Sequence, residues 1–240
     1  ATANAIAYNG AQPVFVDVDR DTMGMSPDAL RRFLEEFGEK RDEGVYNKAS
    51  GKRISAVLPM HTFGFLCRIE VIKQICLDWN IPLIEDAAEA LGSFSTEGSS
   101  AGSFGSLGTF SFNGNKIITS GGGGLIVTND ENLGQKAKYL TTTAKKSHPY
   151  EYYHDELGYN FRMPNLNAAL LLAQFEKLEE YRASKAEVFA AYSEGLKKNN
   201  IKLVEAPDTT AQWNHWLMSV QLENREERNV FLNETNERGV

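Results

Sequence analysis

Between Gly105 and Thr128 the chain carries two short apolar runs separated by a loop that contains one lysine. Leu107 to Phe112 and Leu125 to Thr128 are rich in β-branched or aromatic residues and bounded by Gly and Asn, which predicts two strands. The connection is built of Asn113, Gly114, Asn115, Lys116, Thr119, Ser120 and the four glycines Gly121 to Gly124. Backbone of that composition takes up positive φ readily and lets a bulky group lie close against it. The loop therefore suits an amine held against a ligand. Taken alone, Lys116 reads first as a solvated surface charge, and partners elsewhere have to decide.

Those partners are acids. Ile81 to Gly92 reads as a short buried strand that delivers Asp86 and Glu89 at its carboxyl end, where open α/β sheets bind their ligands. Upstream, Ile54 to Met60 reads as a strand and Ile69 to Trp79 as an amphipathic helix. Strand, helix, strand in that order predicts a right-handed βαβ crossover. Pro13 to Asp19 alternates as a strand would, and Ser26 with Pro27 marks the start of a helix that carries Leu30, Phe33 and Leu34 on one face. Glu35 to Arg53 is charged and dotted with glycine, a surface excursion without its own core. Asp130 to Tyr139 predicts another helix, and Thr141 to Tyr159, with His148, His154 and several tyrosines, an ordered loop that touches a substrate or partner. Asn165 to Leu196 reads as one long helix, Leu217 to Leu222 as a strand and Glu226 to Glu237 as a helix.

Composition excludes several classes. With 240 residues, 42% of them hydrophobic, the chain can bury a large core as one domain, or one plus part of a second. A net charge of −7 argues against a general nucleic-acid or anionic-membrane surface, because those need clustered Lys and Arg. Cys67 and Cys76 lack the flanking pairs of a zinc site and read as buried thiols of a reducing compartment. The four histidines lack metal-ligand spacing, and no apolar run reaches membrane-span length. No GxGxxG opens a helix and no GxxxxGK[ST] is present, so dinucleotide and nucleotide-triphosphate loops are not predicted.

Three motifs in order, Glu85-Asp-Ala-Ala-Glu-Ala-Leu-Gly92, Phe110-Ser-Phe-Asn-Gly-Asn-Lys116 and Gly158-Tyr-Asn-Phe-Arg-Met163, resemble the DegT/DnrJ/EryC1/StrS family of pyridoxal-phosphate sugar aminotransferases. The resemblance runs from Ala1 to Val240. It implies an aspartate-aminotransferase-like (fold type I) α/β architecture, a mostly parallel sheet flanked by helices, with part of a smaller C-terminal α+β domain. Residues 1–164 would form the large cofactor-binding domain, and 165–240 a bridging long helix and partial small domain. In that family a Gly-Thr phosphate loop precedes the position of Ala1 and a further piece follows that of Val240. The chain is therefore expected to be a segment of a longer protein.

The resemblance also implies roles. Lys116 would bond to pyridoxal 5′-phosphate, and Asp86 would face its pyridine nitrogen, keeping it protonated as opposite charges do. Glu89 falls where relatives place a polar side chain near the ring's phenolic oxygen. Ser111 matches a phosphate-binding hydroxyl. Asn160 matches an asparagine that crosses to the neighbour's phosphate, which implies a homodimer with shared active sites. His61 ends a strand and is a candidate for the substrate pocket, or equally a histidine satisfied locally. The implied reaction moves an amino group from an amino acid, L-glutamate, to C4 of a nucleotide-linked 4-keto-6-deoxy sugar, with Lys116 also carrying the proton. Leu58 to Gly64, Thr141 to Lys145 and His148 to Tyr152 resemble the legionaminic-acid and bacillosamine (LegC-like) group, whose sugars are mostly UDP-linked N-acetylhexosamines. The family implies a cytoplasmic enzyme. Two other readings share the scaffold: a sugar dehydratase, in which histidine replaces the lysine, and a non-catalytic regulatory or interaction protein.

Overall fold

The computed structural model describes residues 1–199 and 201–240. The first helix, α1 (Thr2–Tyr8), buries none of its residues. The Ser26 hydroxyl accepts the Ala29 amide, and Pro27 has no amide to satisfy, so α2 (Pro27–Phe37) begins where the sequence predicts. The excursion that follows is more regular than expected. It forms an antiparallel hairpin, β1 (Gly38–Arg41) and β2 (Gly44–Asn47), anchored by buried Val45 and by the Arg41 guanidinium 4.4 Å from the Tyr46 ring. Next comes α3 (Ile69–Trp79), which ends at Asn80 in the left-handed conformation and buries Ile69, Ile72, Ile75 and Cys76 in a core shared with Leu30 and Leu34 of α2.

The sheet places the site. Its strands are β3 (Ile84–Asp86), β5 (Leu107–Ser111) and β6 (Gly124–Val127), while β4 (Phe94–Ser95) lies apart from them. β3 runs parallel to β5 with Asp86 opposite Thr109, and β6 runs antiparallel to β5 with Gly124 opposite Ser111. On the far side of β3 the run 54–60 adds parallel bridges, Val57 with Leu83 and Met60 with Asp86. The expected strand there is reduced to bridges because Pro59 and Pro82 have no amides to give the ladder. The sheet is thus mostly parallel, as fold type I requires. The predicted strand at Pro13 to Asp19 is absent: apart from one bridge between Val18 and Met25 nothing pairs with it among the described residues, and Val14, Phe15 and Val18 stay exposed. Alternation sets which side chains share a face, but a strand also needs a neighbour.

Further along are α4 (Glu131–Thr141), capped by the Asp130 carboxylate, and the short pair β7 (Lys145–Lys146) and β8 (Tyr153–His154). The single long helix expected from Asn165 is two, α5 (Asn165–Phe175) and α6 (Leu178–Lys197). Neither Gly nor Pro marks the break. Tertiary anchors accompany it: Asn167 and Gln174 bond α5 to the backbone of Ser120 and Thr119, whereas α6 buries Leu178 and Arg182. Beyond them β9 (Thr210–Gln212) pairs antiparallel with β4, and α7 (Arg225–Glu237) is capped by Asn224. The strand predicted at Leu217 to Leu222 is not formed; among the described residues a single bridge joins Val220 to Leu203. No helix among the described residues is long and apolar enough to cross a membrane.

Candidate active site

Parallel pairing brings the carboxyl ends of β3 and β5 side by side. Asp86 stands at the end of β3 opposite Thr109, and Ser111 lies two residues further on the same face of β5 as Thr109. The Asp86 carboxylate accepts the Ala88 amide at 3.1 Å and the Thr2 hydroxyl at 2.6 Å, so α1 reaches the site through a residue the sequence did not single out. Two lone-pair positions remain for a further donor. After β5 the Lys116 amide closes a turn on the Asn113 carbonyl at 3.0 Å, and the Ser111 hydroxyl oxygen accepts the Asn113 amide at 3.3 Å.

The Lys116 side chain is only 13% exposed, with Nζ 3.8 Å from a Glu89 carboxylate oxygen. On another side it lies 4.1 Å from the centre of the Trp216 ring. Glu89 is itself oriented, since its second oxygen accepts the Phe63 amide at 2.8 Å. Phe63 has φ 57, a left-handed conformation that costs a residue with a Cβ about 1–3 kcal/mol and persists only where surroundings impose it.

Those surroundings come from the far end of the chain. Trp213 donates its indole N–H to the Phe63 carbonyl at 2.8 Å. Fully buried Asn214 donates to the Glu89 and Leu91 carbonyls and accepts the Trp216 amide. Trp216 donates its indole N–H to the Asn115 carbonyl at 2.7 Å. Sequence reading passed over this segment; its one signal is two tryptophans and an asparagine within four residues. Gly64 makes room for it, with φ 84 and an added Cβ only 2.3 Å from Asn214 Oδ1. Gly64→Ala is expected to lower stability by more than the roughly 1–2 kcal/mol that the conformation alone costs, read as a fall in thermal midpoint.

Behind Asp86 a second polar group is sealed from solvent. One Glu85 oxygen accepts the Phe104 and Gly105 amides at 2.6 Å, the other the Gly102 amide and His61 Nε2 at 2.9 Å. The second His61 nitrogen, Nδ1, accepts the Cys67 amide at 3.3 Å, which leaves the ring proton on Nε2 facing Glu85. His61 and Glu85 are both fully buried. The expectation that His61 lines a substrate pocket is therefore corrected: both of its nitrogens are committed, and it ties the strand edge at Met60 to the loop at Gly102. Burial opposes ionisation of Glu85, but the hydrogen bond from His61 and the amides of Gly105 and Gly102 outweigh it and hold the carboxyl below its usual range.

Structure thus brings together Lys116 and Glu89, with Asp86 and Ser111 on adjacent strand ends. Asn160 stands apart. It is exposed, bridges Thr142 and accepts the Arg162 guanidinium, without a hydrogen bond to the Lys116 group. Cys67 and Cys76 are buried free thiols, and burial pushes Cys76 up to about 12.

A mostly parallel sheet with an acid at one strand end and a half-buried lysine just beyond the next defines a fold type I pyridoxal-phosphate-dependent transferase scaffold. The chain belongs to the DegT/DnrJ/EryC1/StrS aminotransferase family, whose sequence profile matches residues 1–240. EpsN of Bacillus subtilis is 38% identical over 224 residues, spanning 93% of this chain and 55% of that protein. GDP-perosamine synthase of Escherichia coli O157:H7 is 34% identical over 233 residues, spanning 97% and 58%. A DegT/DnrJ/EryC1/StrS aminotransferase from Brucella abortus superimposes with a TM-score of 0.82 at 28% identity, covering 98% of this chain and 60% of that one. The chain spans about half the length of the curated relatives it matches. Members of this family use pyridoxal phosphate.

Proposed function

We propose that the protein to which this chain belongs transfers an amino group from an amino acid, L-glutamate, to C4 of a nucleotide-linked 4-keto-6-deoxy sugar, using pyridoxal phosphate. The observation that carries the reading is the half-buried Lys116 amine beside Glu89, one turn beyond a strand end that neighbours Asp86. The residues suit the cofactor chemically: an amine to bond it, a carboxylate with lone pairs left over, and a hydroxyl at Ser111. Gly114 and Gly122 add open space where a side chain would stand. When bound, pyridoxal phosphate supplies a ring that accepts the electrons released at the donor's α-carbon.

The chain's own residues do the rest. Lys116 would hold the cofactor, and its free amine would carry the proton. Asp86 would hold the ring nitrogen and favour its charged form. Glu89 orients the amine, and Ser111 takes a phosphate oxygen. Asn160, exposed and outside the cluster, is offered to the phosphate of a second subunit in a homodimer. The donor leaves as its 2-oxo acid, and the sugar carbonyl becomes a carbon bearing the amine.

The LegC-like segments favour a UDP-linked N-acetylhexosamine as acceptor. A second reading, a GDP-linked sugar, is favoured by the relative named GDP-perosamine synthase. The test is an absorption titration of the full-length protein with pyridoxal phosphate, followed by L-glutamate and then each keto sugar. A visible band that bleaches with glutamate and returns with one sugar is the expected result. A band that never bleaches would point to a different donor or to the non-catalytic alternative. In the same titration Asn160→Ala is expected to weaken cofactor binding; unchanged affinity in an assembled dimer sets that assignment aside.

A further inference from the structure

We infer that Trp216 is a positioning residue for Lys116, its indole face being the surface on which the amine rests whenever it is not covalently engaged. The inference rests on the reading of Lys116 as the reactive lysine and adds to it a residue a hundred positions away. Lysine carries a flexible four-carbon stem, so a free amine samples many directions. Here it is confined between the Glu89 carboxylate at 3.8 Å and the Trp216 ring at 4.1 Å. The carboxylate limits how far the cation moves, and the aromatic face, attractive to cations, limits its direction.

The ring is fixed on the same turn that it serves. Its N–H donates to the carbonyl of Asn115, the residue immediately before Lys116, at 2.7 Å. Trp216 is 6% exposed, and its amide is held by Asn214 Oδ1 at 3.0 Å. Between those two residues His215 adopts φ 52, a conformation that disfavours a side chain and persists because both neighbours are pinned. Asn214 also holds the Glu89 carbonyl at 2.7 Å, so one segment sets both walls around the amine. Proton transfer depends on such alignment, because small displacements of a reacting group are costly in rate.

Two measurements on the full-length protein test this. With lysine labelled by carbon-13 and no cofactor present, the Lys116 ε-methylene signal, assigned by its loss in Lys116→Arg, is expected upfield of the other lysines. The indole face shields it, and Trp216→Leu returns it to the ordinary position. An unshifted signal in the wild-type protein overturns the inference without reference to activity. In turnover, Trp216→Leu is expected to lower kcat roughly ten- to hundredfold with donor KM changed less than about twofold. Trp216→Phe keeps a smaller aromatic face and loses the N–H, so it is expected to retain more of kcat than Trp216→Leu. If Phe and Leu variants fall alike, the bond to Asn115 and not the ring face is what matters, and the inference fails. Should transfer activity itself be missing, the proposed reaction falls, while the methylene signal still decides whether the ring holds the amine.

Discussion

Lys116→Ala is expected to remove the visible band formed with pyridoxal phosphate and to lower amino transfer by at least about 10³-fold, since a positioned acid–base group contributes roughly 10²–10⁴ and here the same amine also bonds the cofactor. The fold should survive, because among the described residues the side chain makes one ion pair and one ring contact and donates no hydrogen bond to the backbone. Lys116→Arg separates charge from chemistry. It keeps a cation able to face Glu89 and Trp216, but guanidinium does not give up its proton in proteins and makes no such bond to the cofactor. Both variants should therefore be equally inactive while melting near the wild-type temperature. Turnover within about tenfold of wild type in either one, where the acid–base role alone demands more, would remove Lys116 from its role and with it the proposed reaction.

Local chemistry explains which parts were legible beforehand. Helix starts at Ser26 and Asp130 follow from side-chain oxygens that cap free amides, and β5 and β6 follow from apolar runs bounded by glycine. Asp86, Ser111 and Lys116 could be singled out because they sit in short contiguous motifs at strand ends. What was missed is long-range. Thr2 reaches Asp86 across 84 residues, and Trp216 reaches Asn115 across 101. Apart from the two tryptophans that flank Asn214, nothing near those residues in the chain marks the contact. The choice between the two readings of His61 was open for the same reason, since its burial is set by Glu85, 24 residues on, as well as by Cys67. The helix break after Phe175 likewise has no Gly or Pro to mark it, and what accompanies it is the fastening of α5 to the glycine loop by two side chains.

Glu85→Gln carries the largest expected effect on stability. The carboxylate accepts four hydrogen bonds with no solvent contact, three from backbone amides and one from His61. An amide of the same shape brings an NH2 group against N–H groups, so at least one oxygen's worth of acceptors is replaced by opposed donors. Breaking one side of such a buried arrangement costs about 3–5 kcal/mol, which for a chain of this size lowers the thermal midpoint by roughly 10 °C. Because Glu85 immediately precedes Asp86, cofactor affinity should fall along with stability. The effect has a pH signature whose sign is fixed. The folded Glu85 carboxyl ionises below its ordinary value of 4.5, so the unfolded chain takes up the proton first as pH falls. Its stabilisation is complete above that value and is lost as pH drops through the lower folded one. Urea melts of wild type and Glu85→Gln should therefore differ most at neutral pH and converge below 4.5. A gap that stays constant from neutral to acid pH would show that the carboxylate's charge is not what holds the loop at Gly102 to the strand that presents Asp86.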